Sequence, residues 1–462
     1  MQKLENGLFI FHRDLRIEDN VGLIELSKQV NKLYVCFIFT PEQVTEKNKY
    51  RSLNSIQFMI ESLEELEAEI QRNSGRLMLF YGETTNILKS VISDMKIDIV
   101  SFNKDYTPYA LKRDKNIMEL CKNEKKICKP YSDYYLYEPG SIKADSSNAA
   151  YKKYTPFYRA VLNKVVDMPN NKKITNFSKP ISSFGNTTLN NMFNKYAAQN
   201  EDILVRGGRK NGLEKLSQAG NNQTDYDEKR DFFKEKTTHL SAYIKFGCVS
   251  IREVYHLFKK NFGLEHGLIR ELIWREFFAH ILYAYPEVVG QAYQDKYRDL
   301  NWENRRGYFN KWKKGITGIP IVDACMREMN STGYMHNRGR MTVASFLIKS
   351  LLIDWRWGEK YFATQLTDYD LASNNGNWQG ISGTGVDMKP YFRDMNPWLQ
   401  SKKFDKDTSY IKKWVPELRS VNSSDIHEWH TSYVKYKQVN YPEPIVDYFK
   451  RKEKMITMYK IV

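Results

Sequence analysis

Cysteine is scarce and scattered in this sequence: five in 462 residues, Cys36, Cys121, Cys128, Cys248 and Cys325, with no CxxC pair. An odd count argues against a disulfide framework, and no spacing with the eight histidines suits a zinc site. Long apolar runs are missing too. The longest, Val343 to Ile353, is broken by Ser345, Lys349 and Ser350, so no segment is predicted to span a bilayer. Lys3, Glu5 and Asn6 interrupt any apolar leader. No repeat of solenoid length is present, and no GxGxxG follows the first apolar run, which leaves a dinucleotide-binding reading without support. Acidic residues are in deficit, 55 against 71 Lys and Arg. The resulting net charge of +16 favours a polyanionic partner, nucleic acid before an anionic membrane, although Lys and Asn spent freely on a surface give the same balance. Together these features predict a reduced, soluble, intracellular protein with no metal centre.

What is present divides the chain. Over the first 130 residues, apolar runs rich in aromatic and β-branched residues (Leu8–Phe11, Leu33–Phe39, Leu77–Tyr81, Ile97–Phe102) alternate with helical stretches (Val21–Val30, Ser52–Gln71, Thr84–Met95). In Ile56, Met59, Ile60, Leu63 and Leu66 the apolar positions recur at three and four. Alternation of this kind predicts βαβ units on a parallel sheet, because each parallel strand needs a crossover. Residues 131–225 read as a connector, with Asp167–Asn191 an aperiodic stretch of Asn, Ser, Pro and Lys that suits an exposed loop. From Tyr226 the pattern is helical, and all nine tryptophans lie in this second half. Three domains are predicted: 1–130 α/β, 131–225 connector, and 226–462 all-α.

Three clusters carry candidate chemistry. In Glu271-Leu272-Ile273-Trp274-Arg275-Glu276-Phe277-Phe278, helical offsets put Glu271, Trp274, Arg275 and Phe278 on one face. A carboxylate, an indole and a guanidinium so arranged can stack a base and bond its edge; they also suit the polar rim of a core. The second cluster is Tyr334-Met335-His336-Asn337-Arg338-Gly339-Arg340-Met341. The third is Asp368-Tyr369-Asp370 with Asn374-Asn375-Gly376-Asn377-Trp378. Arginines and carboxylates among apolar residues demand pairing, around a ligand or in a structural network.

In register, these segments resemble the class I photolyase/cryptochrome family. The carrying motifs are Lys236–Ala242, Glu271–Phe278, Gly318–Ala324, Ser331–Arg338, Asp354-Trp355-Arg356 and Asp368–Trp378, with the opening Phe11-His12-Arg13-Asp14-Leu15-Arg16 and Asp19-Asn20. The resemblance covers nearly the whole chain. It implies an α/β N-terminal domain with a five-stranded parallel Rossmann-like sheet that binds an antenna chromophore, then a larger all-α FAD-binding domain. The implied activity is that of a deoxyribodipyrimidine photolyase. Blue light drives an electron from reduced FAD to a cyclobutane pyrimidine dimer flipped out of UV-damaged DNA, and the cofactor does the hard chemistry. A monomer, cytoplasmic and nucleoid-associated if bacterial, is expected.

Residue by residue, the resemblance places Tyr226, Thr237, Thr238, His239, Leu240 and Ser241 at FAD-phosphate positions. Arg340, Asp368, Tyr369 and Asp370 match flavin and ribose contacts, and Asn374 faces the flavin N5. Glu271, Trp274, Arg275, Phe278, Asn337, Arg338 and Met341 would form the dimer pocket, with Arg230, Arg393 and Gln400 in the DNA groove. Trp378, Trp355 and Trp302 match the family's electron relay. The chain departs from the pattern at Leu268, Tyr334 and Gly380, where tryptophan is common, and Asn103–Ala110 lacks the Asn-Glu pair associated with folate. The antenna is therefore left among folate, deazaflavin and flavin. Asn337 and Met341 stand where six-four photoproduct repair uses a histidine pair. A cryptochrome photoreceptor, DASH-type included, is the alternative; such receptors usually carry a long disordered tail, whereas the sequence past Gln400 still holds Trp414 and Trp429.

Overall fold

In a computed structural model of the chain, residues 2–144, 147–180, 184–387 and 390–461 are described. Five strands, β1 Leu4–Phe11, β2 Val30–Phe39, β3 Leu77–Tyr81, β4 Ile99–Asn103 and β5 Ile127–Tyr131, form one sheet in the order β3-β2-β1-β4-β5. Every pairing is parallel, with Leu8 opposite both Tyr34 and Val100. The inner strands are apolar on both faces because helices cover both, as a parallel sheet requires. The predicted helices appear as Val21–Gln29, Leu53–Arg72 and Thr84–Asp94. The first two start where Asn20 and Ser52 accept hydrogen bonds from the Leu23 and Ser55 amides. The fifth strand left a weak trace in the sequence for a physical reason: it is a half-exposed edge strand that carries Pro130.

The stretch predicted as an exposed loop is partly docked. Leu33 donates its amide to the Asn176 carbonyl at 2.9 Å and accepts from the Ser178 amide at 2.9 Å. The Asn176 side-chain amide donates to the Ser27 and Val30 carbonyls at 3.0 and 2.8 Å. Ile174 and Phe177 are buried beneath it. Polar composition hid this because asparagine here supplies backbone partners to a sheet edge. Within 131–225 the chain also forms helices Tyr154–Leu162, Leu189–Tyr196 and Arg209–Asn222.

The remainder is helical. A buried ionic network ties it to the sheet. Arg16 pairs with Asp133 at 2.7 Å, while Arg252, from the Ile251–Phe262 helix, reaches Asp19 at 2.9 Å and Asp133 at 2.7 Å. All four side chains are at least nine-tenths buried. Burial works to raise the Asp133 carboxyl, and the two guanidiniums outweigh it and hold the group below its usual range. Gly247 makes the approach tight enough. Its φ is +62°, and a Cβ there would sit 2.6 Å from the Arg13 carbonyl oxygen. Four of the five cysteines are buried, and all five are free thiols. No helix among the described residues is long and apolar enough to cross a membrane.

Asp133→Ala strands two buried guanidiniums with half their counter-charge. The expected loss is about 3–5 kcal/mol of stability, read as a lower denaturant midpoint. An unchanged midpoint would refute the role given to the network.

Candidate functional site

Two helices build the core of the site. The Asn337–Ser345 helix starts at His336, whose ring nitrogen accepts from the Arg338 amide. The Leu371–Ser382 helix starts at Asp370, whose carboxylate accepts from the Ser373 amide at 3.0 Å. Between them lies a cavity. Its walls bring together Asn337, Arg340, Met341, Asp368, Tyr369, Asp370, Asn374 and Trp378 of the predicted residues, joined by Phe362, Leu366 and Asn377.

The polar groups in these walls are held in place. Asp368 pairs with Arg340 at 2.9 Å and accepts from the Ser241 hydroxyl at 2.7 Å, both through Oδ2. Burial acts to raise this carboxyl, and Arg340 outweighs it, so the group stays ionised. Its Oδ1 is buried without a partner. A buried unpaired carboxylate oxygen is costly, and it fits a ligand that brings an N–H or O–H donor. Asn374 donates its amide nitrogen to the Glu359 carbonyl at 3.1 Å, which leaves its oxygen as the acceptor it can offer the cavity. Glu359 itself is buried, and burial pushes its carboxyl up to about 7. Asp370 is held down to about 2; burial opposes this, but the positive charges of Arg13 and Arg275 prevail.

Arg13 went unassigned in the sequence reading. It pairs with Asp370 at 3.0 Å and with Asp105 at 3.1 Å, and donates to the Tyr135 hydroxyl at 3.0 Å, so the opening motif of the sheet reaches the floor of the helical site. The doublet Arg13-Asp14 was its only sequence signal, with nothing to name the distant partner.

The Gly267–Ala284 helix divides its expected face. Glu271 pairs with Arg230 at 2.5 Å, with 40% of its side chain accessible. Protein surrounds it on other sides, and this burial pushes its carboxyl up against the pull of Arg230. Trp274 stacks on Tyr154 with ring centres 3.6 Å apart and planes 4° from parallel. Arg275 turns toward the sheet side, over the Tyr135 ring at 4.3 Å. Phe278 packs on Gly376, where a Cβ would meet its ring at 2.2 Å. One face thus meets different surroundings: Glu271 keeps part of its side chain in solvent, Trp274 lies against Tyr154, and Arg275 and Phe278 pack on Tyr135 and Gly376.

Arg338 pairs with Asp231 and covers the Phe404 ring at 4.6 Å. Arg393 is exposed, and Gln400 keeps a buried unpartnered side-chain oxygen. Thr237 shares a hydrogen bond with the Tyr334 hydroxyl at 3.1 Å, beside the His239 ring at 5.0 Å. Thr238 caps locally by accepting from the Leu240 amide, and the Tyr226 ring lies 5.6 Å from the Arg230 guanidinium. Of the three departures, Leu268 fills core, Tyr334 joins this polar cluster, and Gly380 faces open space. Trp378 packs edge-on to Phe362 at 4.9 Å and against Gly358, where a Cβ would meet it at 2.2 Å. Trp355 is buried at the start of the Trp355–Gln365 helix, and Trp302 lies edge-on to Tyr459 at 6.1 Å.

A second, larger cavity opens at the carboxyl ends of the strands. It sits over the β1/β4 junction, the switch point where open α/β sheets bind ligands. Phe11, His12, Thr40, Asp105 and Tyr109 line it, and Tyr369 belongs to the walls of both cavities. Burial and nearby Arg113 hold His12 neutral, and its Nδ1 has no partner. Lys245, also in this wall, is drawn down to about 8 by burial.

Residues 268–461 match the family described as the FAD binding domain of DNA photolyase, and residues 8–174 match the family described as DNA photolyase. A deoxyribodipyrimidine photo-lyase of Buchnera aphidicola subsp. Baizongia pistaciae is 35% identical over 98% of both chains. The crystal structure of an archaeal photolyase from Sulfolobus tokodaii with two FAD molecules is 39% identical, with a TM-score of 0.89 over 99% of this chain and 100% of that one. A bacterial class III photolyase from Agrobacterium tumefaciens is 31% identical, with a TM-score of 0.91 over 100% of this chain and 98% of that one.

Gly376→Ala drives a methyl into the Phe278 ring. We expect a loss of about 1–3 kcal/mol from overpacking, seen as a lower melting temperature. Asp368→Asn is expected to purify with a smaller share of bound flavin, measured by absorbance. Flavin content equal to the parent's would remove Asp368 from the binding set.

Proposed function

The chain belongs to the DNA photolyase family, and from that premise we propose how its residues repair pyrimidine dimers. The cavity between the Asn337–Ser345 and Leu371–Ser382 helices is where FAD sits, and the enzyme is a deoxyribodipyrimidine photo-lyase. The observation that carries the assignment of residues is the convergence of the unpaired Asp368 oxygen, the oriented Asn374 amide and Trp378 in one cavity. When bound and reduced, FAD supplies the light-driven electron.

The protein's own residues do the rest. Asp368, kept ionised by Arg340, accepts a hydrogen bond from the flavin edge. Asn374, anchored through its nitrogen, offers an oxygen to a ring N–H and adds no negative charge beside a reduced flavin. Thr237, Thr238, His239, Leu240 and Ser241, with Tyr226, hold the phosphate side. Trp274, backed by Tyr154, stacks on the flipped base. Glu271 bonds the base edge, its carboxyl raised by burial against the pull of Arg230. Asn337, Arg338 and Met341 complete the pocket; Arg230, Arg393 and Gln400 meet the strand. The excess of basic residues supplies phosphate contacts without sequence preference, so affinity falls as salt rises. Trp378, Trp355 and Trp302 pass electrons inward to refill the flavin.

The cavity above β1 and β4 takes the antenna. The Sulfolobus tokodaii relative holds two FAD molecules, which favours a flavin there. The class I assignment, the division at residues 130 and 226, a monomeric state and a cytoplasmic location belong to the same reading.

Purified chain and UV-irradiated oligonucleotide under blue light should yield intact pyrimidines, with no repair in the dark. Lesions that persist under light would leave a photoreceptor instead. Glu271→Ala should keep its flavin yet repair about tenfold less well, the loss from one charge-assisted hydrogen bond worth roughly 1.5 kcal/mol. Repair at the parental rate would exclude Glu271 from the pocket.

A further inference from the structure

Trp378 packs against aromatic rings outside the relay predicted from the sequence. Its ring neighbours are Phe362 at 4.9 Å and Trp312 at 6.4 Å. Trp312, on the Arg306–Lys314 helix, is fully buried and donates its indole N–H to the Val343 carbonyl at 3.1 Å. Its ring lies 5.8 Å from that of Tyr361, which sits on the Trp355–Gln365 helix and is partly exposed. The Tyr361 hydroxyl donates to the side-chain oxygen of Asn330, an exposed residue, at 2.8 Å. Phe362 fills the corner between the two tryptophans, 6.2 Å from Trp312.

We propose that Trp312 and Tyr361 form a second electron outlet, branching at Trp378 and leaving the protein apart from Trp355 and Trp302. The inference rests on the reading that Trp378 is the flavin-side donor. Each station suits its part. Indoles oxidise more readily than phenylalanine, and the Val343 carbonyl dipole stabilises positive charge on Trp312 without being basic enough to remove its proton. A hole on Trp312 therefore passes on. Tyr361 is protonated at rest, because burial pushes its phenol up to about 12. The Lys313 ammonium lies 5.7 Å from its ring and disfavours a second positive charge there. Oxidised Tyr361 consequently sheds its proton along the Asn330 hydrogen bond to water and becomes a neutral radical, and return of the electron must await a proton.

The step balances. Light-excited flavin takes one electron from Trp378, which is refilled from Trp312 and then from Tyr361. One proton goes to solvent, and an added thiol restores Tyr361 by giving up a hydrogen atom.

The test uses flavin-loaded full-length chain, oxidised, under blue light with a thiol. Photoreduction in Trp355→Phe should exceed that in the Trp355→Phe/Trp312→Phe double variant by roughly tenfold or more, because the two routes act in parallel. Trp378→Phe should close both. Electron paramagnetic resonance of illuminated Trp355→Phe should show a tyrosyl signal that narrows with ring-deuterated tyrosine and disappears with Tyr361→Phe, a surface change that spares the core. Trp355→Phe photoreducing no better than Trp378→Phe, or a tyrosyl signal that survives Tyr361→Phe, would overturn the branch alone. Parental photoreduction in Trp378→Phe would overturn the flavin-side donor and the branch with it.

Discussion

Arg16, Asp19, Asp133 and Arg252 are charged, buried and mutually paired, and the placement of everything functional depends on them. Charges at this depth are tolerated only in the geometry that pairs them, so the sheet and the helical half meet in one way. That meeting delivers Arg13 from the end of β1 to Asp370 at the start of the Leu371–Ser382 helix. Asp370 in turn caps the helix that presents Asn374 and Trp378. An interaction between halves thereby fixes the wall of a cavity inside one of them.

The cavity between the Asn337–Ser345 and Leu371–Ser382 helices follows the same logic on a smaller scale. Two polar groups in it have one atom tied to protein and another left over: Asp368 through Oδ2, Asn374 through its nitrogen. Groups fixed this way do not reorganise when charge appears beside them, which is the condition for electrostatic preorganisation. Tyr369, in the walls of both cavities, brings the sheet-side cavity and the helical cavity within one residue of each other.

The substrate side shows how a departure is absorbed. Leu268 is core and Gly380 faces open space, so neither offers an aromatic plate. Tyr154, from a stretch read only as connector, lies flat against Trp274 instead. Its hydroxyl donates to the Arg270 carbonyl at 2.9 Å, which holds the ring in register with the helix that carries Glu271.

The alternation of apolar runs and amphipathic stretches determined the parallel sheet, because period and length are local properties of the chain. The three motif clusters likewise determined the family and most of the helical cavity's wall, since Asn337–Met341 lies on one helix and Asp368–Trp378 on one turn and the helix it opens. Tertiary structure alone decided the partners across those segments: Arg13 for Asp370, Glu359 for Asn374, Tyr154 for Trp274, and Trp312 beside Trp378. It also set Arg275 over the Tyr135 ring and Phe278 against Gly376. Spacing along a helix says which side chains share a face. What that face meets is set by long-range packing and by the pairing of buried charge, and neither has a signature in local sequence.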